Sequence, residues 1–200
     1  MKPINDELIA RDVAVIGASA GGIPAVTELL SLLPSDLYAI IGVVIHRGNR
    51  TQSNWSGMLG KRTNLRVAEP LDGDRVFHGV VYVAPSDQHM RWVNGFVRLD
   101  RNGKEHYTRP AVDPLFTSVA QAYRQRVIGI VLTGNGGDGA HGLFEIAAAG
   151  GIAIVQTPGE ADSPSMPRRA IERNHVVAVL ALHEIADALT SLVRGDRWPI

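Results

Sequence analysis

Cysteine is absent from this chain of 200 residues. Disulfides, thiolate nucleophiles and thiolate metal sites are excluded with it. Excess charge of either sign is absent too, since 20 Lys+Arg balance 20 Asp+Glu. Such a surface carries no general electrostatic footprint for nucleic acid or an anionic membrane. No apolar run approaches the roughly 20 residues that a bilayer-spanning helix needs. The polar start, Met1 to Glu7, lacks the apolar segment of a secretory signal. A cytoplasmic protein without nucleic-acid partner or membrane insertion is therefore expected. Hydrophobic residues make up 45% of the chain, enough for an ordinary core, and the length suits one domain.

What is present is a set of short β-branched runs, each stopped by a glycine-rich or polar turn. Val13–Ile16 runs into Gly17-Ala18-Ser19-Ala20-Gly21-Gly22. Tyr38–Ile45 ends at His46, and Val127–Leu132 ends at Thr133-Gly134-Asn135-Gly136-Gly137-Asp138-Gly139. Further strands are expected over Leu65–Glu69, Val80–Val83, Ile152–Val155 and Val176–Val179. Between them lie helical patterns: Ile23–Leu33 with Pro24 in its first turn, Ser56–Thr63, Asp113–Arg126, Gly142–Ala149, Arg168–Arg173 and Leu182–Val193. Asn94-Gly95 between β-formers over Arg91–Leu99 marks an inserted antiparallel hairpin. Residues 100–110 are polar and expected to be mobile. The alternation predicts an α/β fold, a doubly wound, mostly parallel, Rossmann-like sheet. The expected organisation is a lead-in over 1–11, one domain over 12–193 and a tail over 194–200.

In such a sheet the strand C-termini share one edge, where ligands bind. Ser19, His46 and Asp138 sit at three of those ends. A serine hydroxyl needs a neighbouring base to take its proton. A histidine at the end of the adjoining strand is placed to be that base. An aspartate can then orient the imidazole and stabilise its cation. Each residue also has a plain structural role open to it: Ser19 and Asp138 as helix N-caps, His46 as a strand-end histidine. The turn Gly17–Gly22 also fits a phosphate-binding loop like that of short-chain dehydrogenases. That nucleotide-dependent oxidoreductase reading needs a lysine four residues after a tyrosine. The residues four after Tyr38, Tyr82, Tyr107 and Tyr123 are Gly42, Ser86, Ala111 and Val127. The other histidines show no metal-ligand spacing.

From about Val13 to Leu189 the chain resembles the catalytic domain of the chemotaxis protein-glutamate methylesterases, the CheB type. Six segments in order carry the resemblance: Ile16–Gly22; His46; Gly79–Pro85 with His89; Arg109–Phe116; Leu132–Gly134 through Asp138–Ala140; and Met166–Ile171. The family's triad falls on Ser19, His46 and Asp138. The resemblance implies hydrolysis of glutamyl methyl esters on chemoreceptors, and deamidation of receptor glutamines by the same acyl chemistry. The implied partner is the cytoplasmic helical domain of methyl-accepting receptors, and no metal or organic cofactor is implied. Backbone N–H groups at Ala20 and Asn135 are the candidate oxyanion donors. The chain departs from the family's usual pattern at Ala20, Ile45, Arg47 and Asn135. Arg47 sets a positive charge beside the base, suited to acidic receptor helices. A module that binds receptor helices without turnover is the alternative that these departures allow. Many family members carry a receiver domain ahead of the esterase. The dozen residues before the first strand leave no room for one, so a stand-alone esterase or a piece of a longer protein is expected.

Overall fold

Two runs, β1 (Val13–Ala18) and β2 (Ile40–Ile45), are buried at every position, the pattern of strands covered on both faces. Between them lies α1 (Gly22–Leu32), which turns Ala25, Val26, Leu29 and Leu30 inward. The computed structural model describes residues 11–46, 54–173 and 175–196. After β2 come α2 (Trp55–Gly60), β3 (Arg66–Ala68), β4 (Val80–Val83), and the hairpin of β5 (His89–Val93) and β6 (Phe96–Asp100). There follow α3 (Val112–Tyr123), β7 (Val127–Val131), α4 (Ala140–Ala148) and β8 (Ile152–Gln156). The last elements are α5 (Ser165–Glu172), β9 (Ala178–Leu180) and α6 (Leu182–Arg194).

Seven strands form one parallel sheet in the order β3-β4-β2-β1-β7-β8-β9. The strand order reverses about β1, which makes its C-terminal end the switch point where such sheets bind ligands. One face is covered by α1, α2 and α6, through Leu29, Leu59 and Leu189 among others. The other is covered by α3, α4, α5 and the hairpin, through Phe116, Ile146, Met166 and Trp92. Burying each such side chain contributes roughly 1.5–3 kcal/mol. The doubly wound sheet with an inserted hairpin is thus the architecture expected from the sequence. Among the described residues no helix is long and apolar enough to cross a membrane.

The hairpin turns at Asn94 (φ 53°) and Gly95 (φ 81°), both left-handed as a tight two-residue turn demands. Its Trp92 is fully buried over the sheet at Gly42, where an added Cβ would stand 3.0 Å from the indole ring. The indole meets Tyr82 and Tyr123 edge-on, with ring centroids 5.9 and 6.4 Å away.

Several element ends differ from expectation. The strand expected from Tyr38 starts at Ile40; Tyr38 is exposed and stacks on His78. The helix expected from Arg168 starts at Ser165, because Pro167 falls in the first turn, where no intrahelical N–H is needed. The helices expected from Gly142 and Asp113 begin at Ala140 and Val112. The α3 helix also stops at Tyr123, where Arg124 takes φ 53° and leads into a short 3-10 turn. Residues 100–110, expected to be mobile, carry several anchors. Arg109 bonds Asp87 and the carbonyls of Arg101 and Asn102, while His89 bonds the carbonyl of Gly103.

Candidate active site

The register of the central strands sets the site. Ala18 on β1 pairs with Ile45 on β2, so Ser19 and His46 leave the sheet side by side. The backbone ladder continues past the strand ends. His46 N–H donates to Ala18 O at 3.0 Å, and Ser19 N–H donates to Thr133 O at 3.0 Å. Ser19 is thereby fastened between β2 and the turn after β7.

The Ser19 hydroxyl lies 3.1 Å from His46 Nδ1, and His46 Nε2 lies 2.6 Å from Asp138 Oδ2. The three residues that the sequence singled out are therefore joined in one hydrogen-bonded line. Asp138 is buried, while Ser19 and His46 are partly exposed. The line opens outward at its serine end. Since an ionised carboxylate only accepts, the ring proton sits on Nε2, and Nδ1 is free to accept from the serine.

Neither structural alternative describes Ser19 or Asp138. The N-cap of α1 is Gly21 and that of α4 is Gly139, both left-handed and without a side-chain cap bond. Asp138 instead reaches across to the start of α3. Its Oδ2 accepts from Val112 N–H at 2.6 Å and its Oδ1 from Asp113 N–H at 3.0 Å. Burial by itself would raise the Asp138 carboxyl. The His46 bond and the two helix N–H groups outweigh it and hold the carboxyl below its ordinary range. Those N–H groups also form the positive end of the α3 dipole.

Two glycines bring α3 that close. An added Cβ at Gly17 would stand 2.4 Å from Val112, and one at Gly139 (φ +86°) 2.8 Å from the same side chain. Val112 occupies the space both leave, and its N–H arrives at the Asp138 carboxylate. His89, fully buried, accepts from Ala111 N–H at 3.2 Å and so anchors the segment entering α3.

The other flank of Ser19 is held by buried polar groups. Gln156 Oε1 accepts from Thr133 N–H, and Thr133 Oγ1 accepts from Ser163 N–H while donating to Ala20 O at 2.9 Å. Gly134 fits between Ser19 and the buried Met166: an added Cβ would stand 2.7 and 2.2 Å from them. Among the described residues, neither the Ala20 N–H nor the Asn135 N–H has a hydrogen-bond partner. Arg47 lies outside the described residues.

The sequence reading did not single out Asp113. It is buried, its Oδ1 accepts from Gly142 N–H at 2.7 Å, and its Oδ2 lies 3.1 Å from His106 Nε2. Burial and the neighbouring Asp138 push its carboxyl up; the Gly142 N–H and His106 oppose them. A usable signal was its place before Pro114, in the first turn of a helix. Ligand atoms of His106, Asp113 and Asp138 lie within 4.8 Å of one another, a spacing a metal could bridge. All four carboxylate oxygens there already accept hydrogen bonds, so the set fits mutual capping better than an ion.

Comparison with known proteins adds a family. The chain matches the family described as CheB methylesterase over residues 14–189. A relative from Leptospira interrogans serovar copenhageni is 36% identical over 191 residues, covering 92% of this chain and 96% of its own. The protein-glutamate methylesterase/protein-glutamine glutaminase 2 of Anaeromyxobacter dehalogenans is 40% identical over 183 residues. The match covers 92% of this chain but 54% of that protein, so the chain spans about half of that longer relative. The crystal structure of the Thermotoga maritima CheB methylesterase catalytic domain superposes with a TM-score of 0.87 at 33% identity. That likeness covers 92% of this chain and all of the other.

Proposed function

This chain belongs to the CheB methylesterase family, and we propose that it hydrolyses glutamyl methyl esters on methyl-accepting chemoreceptors with Ser19, His46 and Asp138 as its catalytic triad. The observation that carries the reading is the unbroken line from Ser19 Oγ through the His46 ring to the buried Asp138 carboxylate.

Ser19 Oγ attacks the γ-carbonyl as His46 Nδ1 takes its proton. The oxyanion is stabilised by the N–H groups of Ala20 and Asn135. His46 returns the proton to the departing methoxide, and methanol leaves an acyl-serine. Water, activated by the same Nδ1, then releases the glutamate. Asp138 remains ionised and holds the ring by Nε2. A glutamine side chain follows the same route with ammonia as the leaving group. All of this lies within one catalytic domain, residues 12–193. An acceptor helix of the receptor's cytoplasmic domain meets the partly exposed Ser19 and His46, which places the enzyme in the cytoplasm.

The test is methanol release from a methylated receptor cytoplasmic fragment, comparing the protein with Ser19→Ala. Loss of release by at least about 10⁴-fold in the variant is expected. Receptor binding without release by either protein would replace the esterase reading with that of a non-catalytic binding module.

A further inference from the structure

The two buried aspartates exchange caps. Asp138, just before α4, accepts from the first two N–H groups of α3. Asp113, in the first turn of α3, accepts from the Gly142 N–H in the first turn of α4. Each helix start thus holds the carboxylate that satisfies the other. First-turn N–H groups have no partner within their own helix and must be met from outside. Here the partner of one helix is fixed by the partner of the other. The contact is tight as well: an added Cβ at Gly142 would stand 2.3 Å from Phe116 Cβ on α3.

We propose that Asp113 is a positioning residue for the triad, fixing the Asp138 carboxylate toward His46 Nε2 by locking the start of α4 to the start of α3. The inference rests on the triad assignment above. Asp113 does not touch the serine or the base. It acts on the backbone that carries Asp138, four residues before Gly142. His106 meets the outer oxygen of Asp113 and orients the carboxyl so that the other oxygen faces Gly142.

The experiment compares Asp113→Ala and Asp113→Asn with the unmodified chain. Asparagine keeps an oxygen for the Gly142 N–H; alanine does not. The first readout is the proton resonance of the His46 Nε2–H bonded to Asp138, which requires no substrate. It is expected to be lost or broadened in Asp113→Ala and kept in Asp113→Asn. In ester hydrolysis, Asp113→Ala should lower kcat by about 10-fold or more with KM unchanged, and Asp113→Asn should restore most of it.

A resonance retained in a folded Asp113→Ala protein overturns the inference, as does a resonance lost equally in Asp113→Asn. Should Asp113→Ala fail to fold, His106→Ala, which removes the group that orients the Asp113 carboxyl, is expected to broaden the same resonance, and an unchanged resonance there overturns the inference. No turnover by the unmodified chain, with the resonance behaving as expected, would instead remove the esterase reading and leave the positioning role standing.

Discussion

His46 meets Asp138 through Nε2, at 2.6 Å, and so presents Nδ1 to Ser19. The nitrogen nearer the backbone faces the serine hydroxyl, and the outer nitrogen faces the carboxylate. The arrangement suits a histidine that leaves the sheet beside its serine while its aspartate comes from a separate helix junction.

Asp138→Asn should therefore injure both catalysis and fold. The amide can donate to Nε2 and favour the wrong tautomer, which costs about 10⁴-fold in kcat in comparable triads. The same carboxylate accepts from Val112 and Asp113. Losing a charged acceptor there should destabilise the protein by roughly 1.5–3 kcal/mol. Denaturant unfolding alongside kinetics separates the two effects; unchanged stability would show that the α3 contacts contribute little.

Gly134→Ala should disable the site without replacing any of Ser19, His46 and Asp138. The new methyl would stand 2.2 Å from Met166 Sδ and 2.7 Å from Ser19 Cβ. Met166 is fully buried and Ser19 is held by Thr133, so neither neighbour yields freely and the strain falls on the serine as well as on the methionine. Overpacking of this kind costs about 1–3 kcal/mol. Kinetics of the variant should show lower kcat, partly recovered when Met166→Ala is added.

His89→Ala should loosen the entry to α3. The imidazole accepts from Ala111 N–H and bonds the Gly103 carbonyl in a fully buried setting. An unpartnered buried N–H costs about 1–3 kcal/mol. Hydrogen exchange at Ala111 and Val112 should accelerate; unchanged exchange would assign the anchoring to Arg109 instead.

Asp12 should shape the acid limb of stability. Burial works against its ionisation, but Arg126, bonded through two nitrogens, and His78 hold its carboxyl below the ordinary range. Its folded pKa thus lies under the unfolded value of about 3.9. The contribution is complete above about pH 4 and is lost as pH falls through the folded pKa. Asp12→Asn should lower stability near neutral pH and flatten its decline in acid. Asp113 has the opposite sign: its raised carboxyl favours the fold more at low pH and less as pH rises. Unfolding free energies measured across acidic pH test both.

Much of this was legible in the sequence because each candidate stands next to a buried run. Ser19 follows Ala18 and His46 follows Ile45, so recognising the strands located both residues at the sheet edge. Asp138 was legible as a strand-end residue, but not its attachment to α3. That contact depends on Gly17 and Gly139 leaving space for Val112, which lies far from both along the chain. Asp113 was hidden for the same reason: its partners, Gly142 and His106, are brought to it by packing. Helix starts at Ser165 and Ala140 were missed where a proline or a glycine masked the first turn.

The sheet ladder that fastens Ser19 to Thr133 and His46 to Ala18 has a bearing on how the protein matures. Ser19 and His46 are 27 residues apart, His46 and Asp138 92. A growing chain can pair the first two strands early, yet it holds no acid until β7 docks and α3 meets α4. Ester turnover during refolding would therefore return only once β7 has docked and α3 has met α4, making the reaction a clock for assembly of that part of the fold.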